Sequence, residues 1–188
     1  VRCFEDENIT HVDGSIDPLR DAETIETELM LADLESLEKR VNAGIKKAKG
    51  GDKEAKAQLN VMERALALLR EGKPARRLDL AKDEQEIFRQ LQLLTAKPVL
   101  YACNVDEESA AQGNELSAKV AEFATNEGAA CVVISAAIES EVAQLSDPTE
   151  RQEFLDSLGL TETGLTRVIR AGYELLGLIT FFTVGPKE

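Results

Sequence analysis

Two short polar motifs each follow an apolar run of this sequence, and their residue types suit hydrogen bonding to a flat, polar ligand. The first is Asn104-Val105-Asp106-Glu107, and the second, further along the chain, is Ser135-Ala136-Ala137. An asparagine amide both donates and accepts hydrogen bonds, a carboxylate only accepts, and a Ser-Ala pair offers small side chains and exposed backbone N–H groups. Asn104 is therefore able either to pair with a purine edge or to tie neighbouring loops together, and Asn104 and Glu107 could also merely cap a loop.

A second chemical feature is a group of five lysines gathered around Gly50-Gly51. The group, called the lysine cluster below, consists of Lys46, Lys47, Lys49, Lys53 and Lys56, with only Asp52 and Glu54 interspersed. The chain as a whole has 22 basic and 35 acidic residues and a net charge of −13, so any contact with nucleic acid must use a local basic patch. The lysine cluster either contacts RNA phosphates or solvates a helix end and favours its dipole.

The lysine cluster lies where two long predicted helices meet. Apolar or small residues recur at alternating spacings of four and three in residues 19–49 and again in 53–71, which is typical of a coiled-coil seam. These positions are Met30, Leu34, Leu37, Val41, Gly44 and Ala48, then Ala55, Leu59, Met62, Leu66 and Leu69. Gly50-Gly51 ends the first helix and Asp52 caps the second, so the two must run antiparallel as a projecting hairpin. An ordinary two-helix core element is the alternative.

The two polar motifs terminate predicted strands of a parallel sheet. Residues 98–105 and 130–135 are apolar runs, and a helical pattern at 115–127 separates them. Strands that are apolar throughout and separated by a helix belong to a parallel sheet covered on both faces, which predicts an α/β fold. Further helices are predicted at 78–94, 147–158 and 163–177. Ligands of such sheets bind at the carboxyl ends of the strands, where both motifs fall.

Six segments, spread in order along almost the whole chain, resemble the YchF family, the bacterial Obg-like ATPases of the P-loop GTPase superfamily. They are residues 1–6, 11–18, 49–54, 93–98, 135–139 and 167–177. The family has an NTPase domain interrupted by a helical hairpin and followed by a small β-rich TGS domain. The resemblance implies the carboxyl-terminal half of a P-loop NTPase sheet with an inserted coiled-coil hairpin. Its parts would be 1–18 (end of the first NTPase part), 19–77 (hairpin), 78–178 (second NTPase part) and 179–188 (start of TGS).

The resemblance also implies a function and its residues. A protein of this family would bind ATP, or also GTP, with Mg²⁺, hydrolyse it, and bind the ribosome or RNA in a nucleotide-dependent way through the lysine cluster. The base would be held by Asn104, Val105, Glu107, Ser135, Ala136 and Ala137. A non-catalytic helical-hairpin interaction module with a vestigial nucleotide half-site is the alternative.

The choice of base is only partly determined by the residues. GTPases usually carry Asn-Lys-x-Asp, whose aspartate accepts from guanine. Here Val105 stands in place of the lysine, and Glu107, with an extra methylene, in place of the aspartate. Guanine readout should therefore be weakened, but a glutamate is no better partner for adenine, so the preference for ATP comes from the family resemblance alone.

The family's phosphate loop, Mg²⁺-binding and switch segments are not among these 188 residues. Without a phosphate cradle, the developing charge of phosphoryl transfer has no stabiliser, so we expect no catalytic residue, no bound cofactor and no hydrolysis in this chain alone. Val1–Phe4 and residues 180–185 both look like interrupted strands, which predicts an internal piece of a larger protein. Its bare sheet edge would favour self-association.

The remaining polar and thiol groups predict no further chemistry. Cys3, Cys103 and Cys131 lie far apart without metal-ligand spacing, which predicts buried, reduced thiols in a cytoplasmic protein and no metal site. The single histidine, His11, has no nucleophile or metal partner and is expected to hydrogen bond in a loop. No apolar run is long enough to span a membrane and no signal peptide pattern opens the chain, so a membrane partner is not expected.

Overall fold

The structure is a computed structural model that describes residues 1–6 and 15–185. The predicted loop role of His11, and parts of the predicted segments 1–18 and 179–188, lie outside the described residues. The described helices are α1 (Pro18–Ala48), α2 (Lys53–Arg70), α3 (Glu84–Leu91), α4 (Glu115–Glu127), α5 (Ala136–Val142), α6 (Pro148–Ser157) and α7 (Gly164–Leu175), and the strands are β1 (Leu100–Asn104) and β2 (Ala130–Ile134). None of these helices combines the length and the apolar character needed to cross a membrane.

The chain divides into two compact units, one made of residues 1–21 and 99–188 and the other of residues 22–98. The first, the sheet unit, contains β1 and β2 in parallel, with Leu100 opposite Ala130 and Asn104 opposite Ile134. Residues 1–3 lie along the other side of β1, where the Asn104 N–H donates to the Val1 carbonyl (2.8 Å) and the Cys3 N–H to the Asn104 carbonyl (2.7 Å). The predicted α/β class, with a small parallel sheet, is confirmed.

Helices α4 and α7 cover opposite faces of the sheet unit. On one face the Tyr101 ring packs edge-on against Phe123 of α4, with centroids 5.8 Å apart. On the other, Ile134 lies so close to Gly164, the first residue of α7, that an added Cβ there would come within 2.9 Å of the isoleucine Cγ2. Ile134 lies opposite Asn104, which is three residues after Tyr101 in β1. Because successive strand residues point to opposite faces, Tyr101 and Ile134 lie on opposite faces of the sheet.

The three cysteines meet in this sheet. Cys3 and Cys103 are buried, Cys131 is half-buried, and the Cys103 and Cys131 sulfurs lie 3.6 Å apart; all three are free thiols. The hydrogen bond from Cys131 lowers the pKa of Cys103, but the hydrogen bond with Cys3 and burial outweigh it and raise that pKa to about 11. Cys103 is therefore a neutral packing residue at physiological pH.

The second unit, the helical unit, is organised by α1 and α2. Gly44 of α1 faces Met62 and Leu59 of α2, and an ion pair joins Glu38 to Arg70 at 2.7 Å. The earlier residue of α1, Glu38, contacts the later residue of α2, and Gly44 contacts the earlier ones, so the two helices run antiparallel. Their shared core contains Leu37, Val41, Val61, Met62, Ala65, Leu66 and Leu69, closed by Ala75, Leu91 and Leu93.

A buried carboxylate holds the segment that follows α3 against α1. Asp33 is only 3% exposed and accepts from the Leu94 N–H (2.7 Å), the Thr95 N–H (2.8 Å) and the Thr95 hydroxyl (2.7 Å). The Thr95 hydroxyl oxygen in turn accepts from the Ala75 N–H at 3.0 Å. One carboxylate thereby connects three segments of the helical unit.

The predicted helix at 78–94 is wrong in extent, since only Glu84–Leu91 is helical. Before it, the Asp79 carbonyl accepts from Arg64 and the Ala81 N–H donates to the Glu84 carboxylate, so these backbone groups are used outside a helix. After it, the left-handed Gln92 turns the chain away, and Leu94, placed on the buried face by the pattern, is 41% exposed. Helix α5 was not predicted.

Candidate functional site

The polar motifs after β1 and β2 meet at a cavity of about 450 Å³ at the carboxyl edge of the sheet. It is lined by Phe4, Glu5, Asp6, Asn104, Val105, Asp106, Glu107, Glu108 and Ala137. Strand β1 delivers the first motif and β2 the second, because parallel strands end at the same edge. Of the residues predicted to hold a base, Asn104, Val105, Glu107 and Ala137 line the cavity directly.

Asn104 connects the two motifs. Its side-chain oxygen accepts from the Ala136 N–H at 2.8 Å, across 32 residues of sequence. Because that backbone group donates, the amide atom facing it is the oxygen, and the NH₂ group is left as a donor. Of the roles that the sequence left open to Asn104, the structure shows the tying of neighbouring loops, and the amide nitrogen remains able to donate to a ligand.

Val105 and Ser135 are the buried members of the site. Val105 is 2% exposed and its N–H donates to the Ile134 carbonyl at 2.9 Å, so neither its side chain nor its N–H is free for a ligand. Ser135 is also 2% exposed, and its hydroxyl has no hydrogen-bond partner among the described residues. An orphaned hydroxyl beside a cavity is a candidate for a hydrogen bond to something that enters it.

The electrostatics of the cavity are acidic. Glu107 and Glu108 are exposed, and Asp106 accepts from the Ser109 N–H at 2.8 Å. Hydrogen bonds from the Ser109 side chain and backbone hold the pKa of Asp106 below its usual value, so it is charged at neutral pH. The lining favours ligand groups that donate hydrogen bonds, such as ring N–H and exocyclic amines, and disfavours phosphates.

Sequence reasoning missed five lining residues, namely Asp106 and Glu108 on either side of Glu107, and Phe4, Glu5 and Asp6. The last three follow the segment paired with β1, so they reach the same edge as Asn104. Phe4 stands under the Arg2 guanidinium, whose carbon lies 4.9 Å from the ring centroid. The sequence contained a signal for these residues, namely the strand predicted to end at Phe4. In a parallel sheet, the residues that follow such a strand lie at the carboxyl edge, where ligands bind.

Helix α5, which follows Ser135, is attached to α7 by a carboxylate. Glu139 accepts from the Gly164 N–H at 2.6 Å and the Leu165 N–H at 3.1 Å, satisfying donors at the start of α7. Ala136 and Ala137 open α5 and are exposed. The second motif is thus held from both sides, by Asn104 and by the contact of α5 with α7.

The lysine cluster lies in the helical unit, at the turn between α1 and α2. All five lysines are exposed, and none of their side-chain ammonium groups has a hydrogen bond or ion pair with another residue of the described ranges. Asp52 is engaged in capping, since its carboxylate accepts from the Glu54 N–H at 2.9 Å. The positive charges at this turn are therefore available to an external anion.

Among residues 1–6 and 15–185, no group of three or more His, Cys, Asp or Glu side chains could hold a metal ion. The parallel sheet, with helices on both faces and a cleft at its carboxyl edge, has the arrangement in which α/β proteins bind nucleotides. The chain therefore has the architecture of the α/β nucleotide-binding proteins.

Comparison with known proteins then shows what the chain is similar to. The chain is 49% identical over all 188 residues to the ribosome-binding ATPase YchF of Escherichia coli O157:H7, and 46% identical over 190 residues to that of Bacillus subtilis. Its fold matches the solved Schizosaccharomyces pombe YchF GTPase with a TM-score of 0.84 and 31% sequence identity, covering 98% of this chain and 51% of that one. No protein-family model matches.

By sequence and by fold, the chain is homologous over its whole length to YchF-family proteins, which confirms the resemblance. It spans about half the length of the curated relatives that it matches, 51% of the Escherichia coli protein and 52% of the Bacillus subtilis one.

Proposed function

We propose that this chain supplies the base-recognition half of a YchF-type NTPase that binds ATP, and also GTP. The observation that carries the proposal is the convergence of the two polar motifs on one cavity, tied by the Asn104–Ala136 hydrogen bond of 2.8 Å. In this proposal the Asn104 amide nitrogen contacts the base directly. The Ser135 hydroxyl, which is buried and outside the cavity lining, would reach the base after a change of side-chain rotamer. Val105 packs within the cavity wall, and Ala136 and Ala137 keep the entrance narrow.

The proposed base preference rests on Glu107. The relatives are named as ATPases in bacteria and as a GTPase in yeast, so both nucleotides are to be tested. A glutamate places its carboxylate one methylene further out than the aspartate of a guanine-reading motif, which should misalign it with guanine N1–H and the 2-amino group. The site should therefore select GTP over ATP less strongly than a guanine-reading motif with aspartate does.

The test is a calorimetric titration of a full-length protein carrying this region. We expect ATP to bind at least as tightly as GTP, and Glu107→Asp to shift the ratio toward GTP by about three- to tenfold, the value of one hydrogen bond. Glu108→Asp, one residue further along the same acidic lining, is the matched control and should leave the ratio unchanged. A wild-type protein that strongly favours GTP would contradict the proposed readout.

Phosphate binding and Mg²⁺ coordination would fall to residues outside this chain. The cavity lining is acidic, and the described residues contain no metal-ligand group. We therefore propose that the 188-residue chain alone does not hydrolyse ATP, whereas the full-length protein does. Mg²⁺ would neutralise the phosphate charges there.

We further propose that residues 19–77 form a coiled-coil hairpin inserted between NTPase parts 1–18 and 78–178, with a TGS domain beginning at 179. The antiparallel contacts of α1 and α2 and the buried Leu37, Val41 and Met62 support a seam. The exposed lysine cluster at the turn would contact ribosomal RNA, and the relatives' name as ribosome-binding ATPases supports this partner. In the alternative, a hairpin interaction module, the nucleotide titration above would show no binding.

Self-association is a separate proposal about the sheet unit. Within the described residues β2 pairs with β1 alone. Helix α7 and the residue that follows it expose an apolar row of Leu165, Ile169, Tyr173 and Leu176. An unpaired edge next to apolar surface favours pairing with a second chain. We expect sedimentation velocity of the 188-residue chain to show concentration-dependent dimers or larger species, and a monomer at all concentrations would contradict this.

A further inference from the structure

An open groove runs along α3 in the helical unit, away from the lysine cluster in sequence. Its volume is about 720 Å³, within the range of roughly 300 to 1,000 Å³ that ligand sites occupy. Its floor is apolar, formed by Leu80, Phe88 and Leu93. We call it the α3 groove. Leu93 belongs to the core, and the next two residues are held by Asp33, so this side of the groove is preformed.

The rim of the α3 groove is basic and amide-rich in a chain that is strongly acidic. Arg89, Lys97, Gln85 and Gln92 line it, and no carboxylate does. The Arg89 guanidinium pairs with Glu86 at 2.7 Å, but both side chains are exposed, and exposed pairs of this kind contribute little. The Lys97 ammonium has no hydrogen bond or ion pair with any residue of the described ranges. With 35 acidic residues in the chain, a lining without Asp or Glu and with an unpaired Lys97 ammonium favours an anionic occupant.

Gln92 supplies an independent observation. It follows the last residue of α3 in the left-handed conformation, with φ 51° and ψ 38°, and it is the one non-glycine residue with positive φ in the described part of the chain. Glycine is the usual residue at such a helix end, because a Cβ makes the conformation costly. Gln92 keeps an amide side chain at the groove instead. Backbone strain of this kind concentrates at ligand-binding positions.

We propose that the α3 groove binds an extended acidic peptide segment, with an apolar side chain on Phe88 and Leu80 and its carboxylates on Lys97 and Arg89. The two glutamine amides each donate and accept, as a peptide backbone does, so they match its N–H and C=O groups. Single-stranded RNA fits less well, since a strand needs a continuous track of cations, and the groove lining offers only Arg89 and Lys97.

The binding test uses the full chain and a fluorescently labelled, terminally blocked peptide of alternating leucine and glutamate. The matched probe has glutamine in place of every glutamate. Fluorescence anisotropy should show binding of the acidic peptide and weaker binding of the neutral one. Lys97→Gln should weaken binding of the acidic peptide by up to about fivefold, the value of an exposed ion pair. Lys82→Gln, an exposed lysine outside the groove, should leave it unchanged.

Gln92→Gly separates the proposed role from a structural one. Glycine removes the strain of positive φ, so the variant should melt at the same temperature as the wild type or higher. It should nevertheless bind the acidic peptide more weakly, because an amide of the rim is lost. Equal binding of the acidic and neutral peptides, no binding of either, or displacement of the acidic peptide by a single-stranded RNA would each overturn the proposal.

Discussion

Replacing Asp33 by alanine should lower the free energy of unfolding of the helical unit by about 3 to 5 kcal/mol, because each buried donor left without a partner costs about 1 to 3 kcal/mol. Asp33 accepts three hydrogen bonds, from the Leu94 N–H, the Thr95 N–H and the Thr95 hydroxyl, at 2.7 to 2.8 Å. The alanine cannot replace any of them, and water has little access to a residue that is 3% exposed. The Thr95 hydroxyl would also be freed to turn away from the Ala75 N–H.

The measurement is urea unfolding of the 188-residue chain, followed by circular dichroism, which reports mainly on its helices. Asp33→Asn keeps one acceptor oxygen and should fall between the wild type and Asp33→Ala. Asp52→Ala removes a carboxylate that also accepts from a backbone N–H, that of Glu54, but is exposed, and should cost only about 1 kcal/mol. If Asp33→Ala proves no more destabilising than Asp52→Ala, the buried carboxylate is not what holds the segments together.

If the lysine cluster contacts RNA as we propose, replacing Lys47, Lys49 and Lys53 together by glutamine should remove much of the full-length protein's affinity for RNA. Each phosphate contact contributes about 0.7 to 0.9 to the slope of log affinity against log salt, so the slope should fall by roughly two to three. The attraction has to be local, since charges are screened beyond about 8 Å at physiological salt and the rest of the chain is acidic. The helices should remain intact, because these side chains are exposed and make no contact that the fold needs.

The experiment measures binding of ribosomes or RNA to the full-length protein at several salt concentrations. A matched triple variant, Lys73→Gln, Lys82→Gln and Lys119→Gln, removes the same charge from other exposed positions of the chain. The lysine cluster variant should bind weakly with a shallow slope, and the control should resemble the wild type. An equal slope in both variants would mean that the cluster only solvates the end of α1.

Periodicity predicted the elements that are stabilised by their own sequence. The helix expected at 115–127 has the bounds found for α4, because Asn114 caps its start in a capping box and Gly128 takes the left-handed conformation at its end. The helix expected at 19–49 is α1, and the apolar runs are β1 and β2. These elements combine a local start or stop signal with a clear apolar pattern, and such signals act whatever the rest of the chain does.

The prediction of a helix at 78–94 was wrong in extent because contacts with distant residues override its local pattern. Its apolar spacing is helical, but Arg64 takes the Asp79 carbonyl and Asp33 takes the Leu94 and Thr95 N–H groups. These partners lie 15 to 62 residues away in the sequence, and no local pattern contains them. Helix α5 was missed because seven residues are too few to show a period.

The sequence by itself therefore determined the α/β class, the antiparallel pair α1 and α2, and the placement of both polar motifs at the ends of strands. Only the tertiary structure decided what those residues do: Asn104 ties Ala136, Val105 is buried, Ser135 keeps an unpartnered hydroxyl, and Phe4 joins the cavity. The physical reason is range. Caps, glycine stops and apolar periods act within a few residues, whereas a cavity and a buried hydrogen bond require groups that only the packing of distant segments brings together.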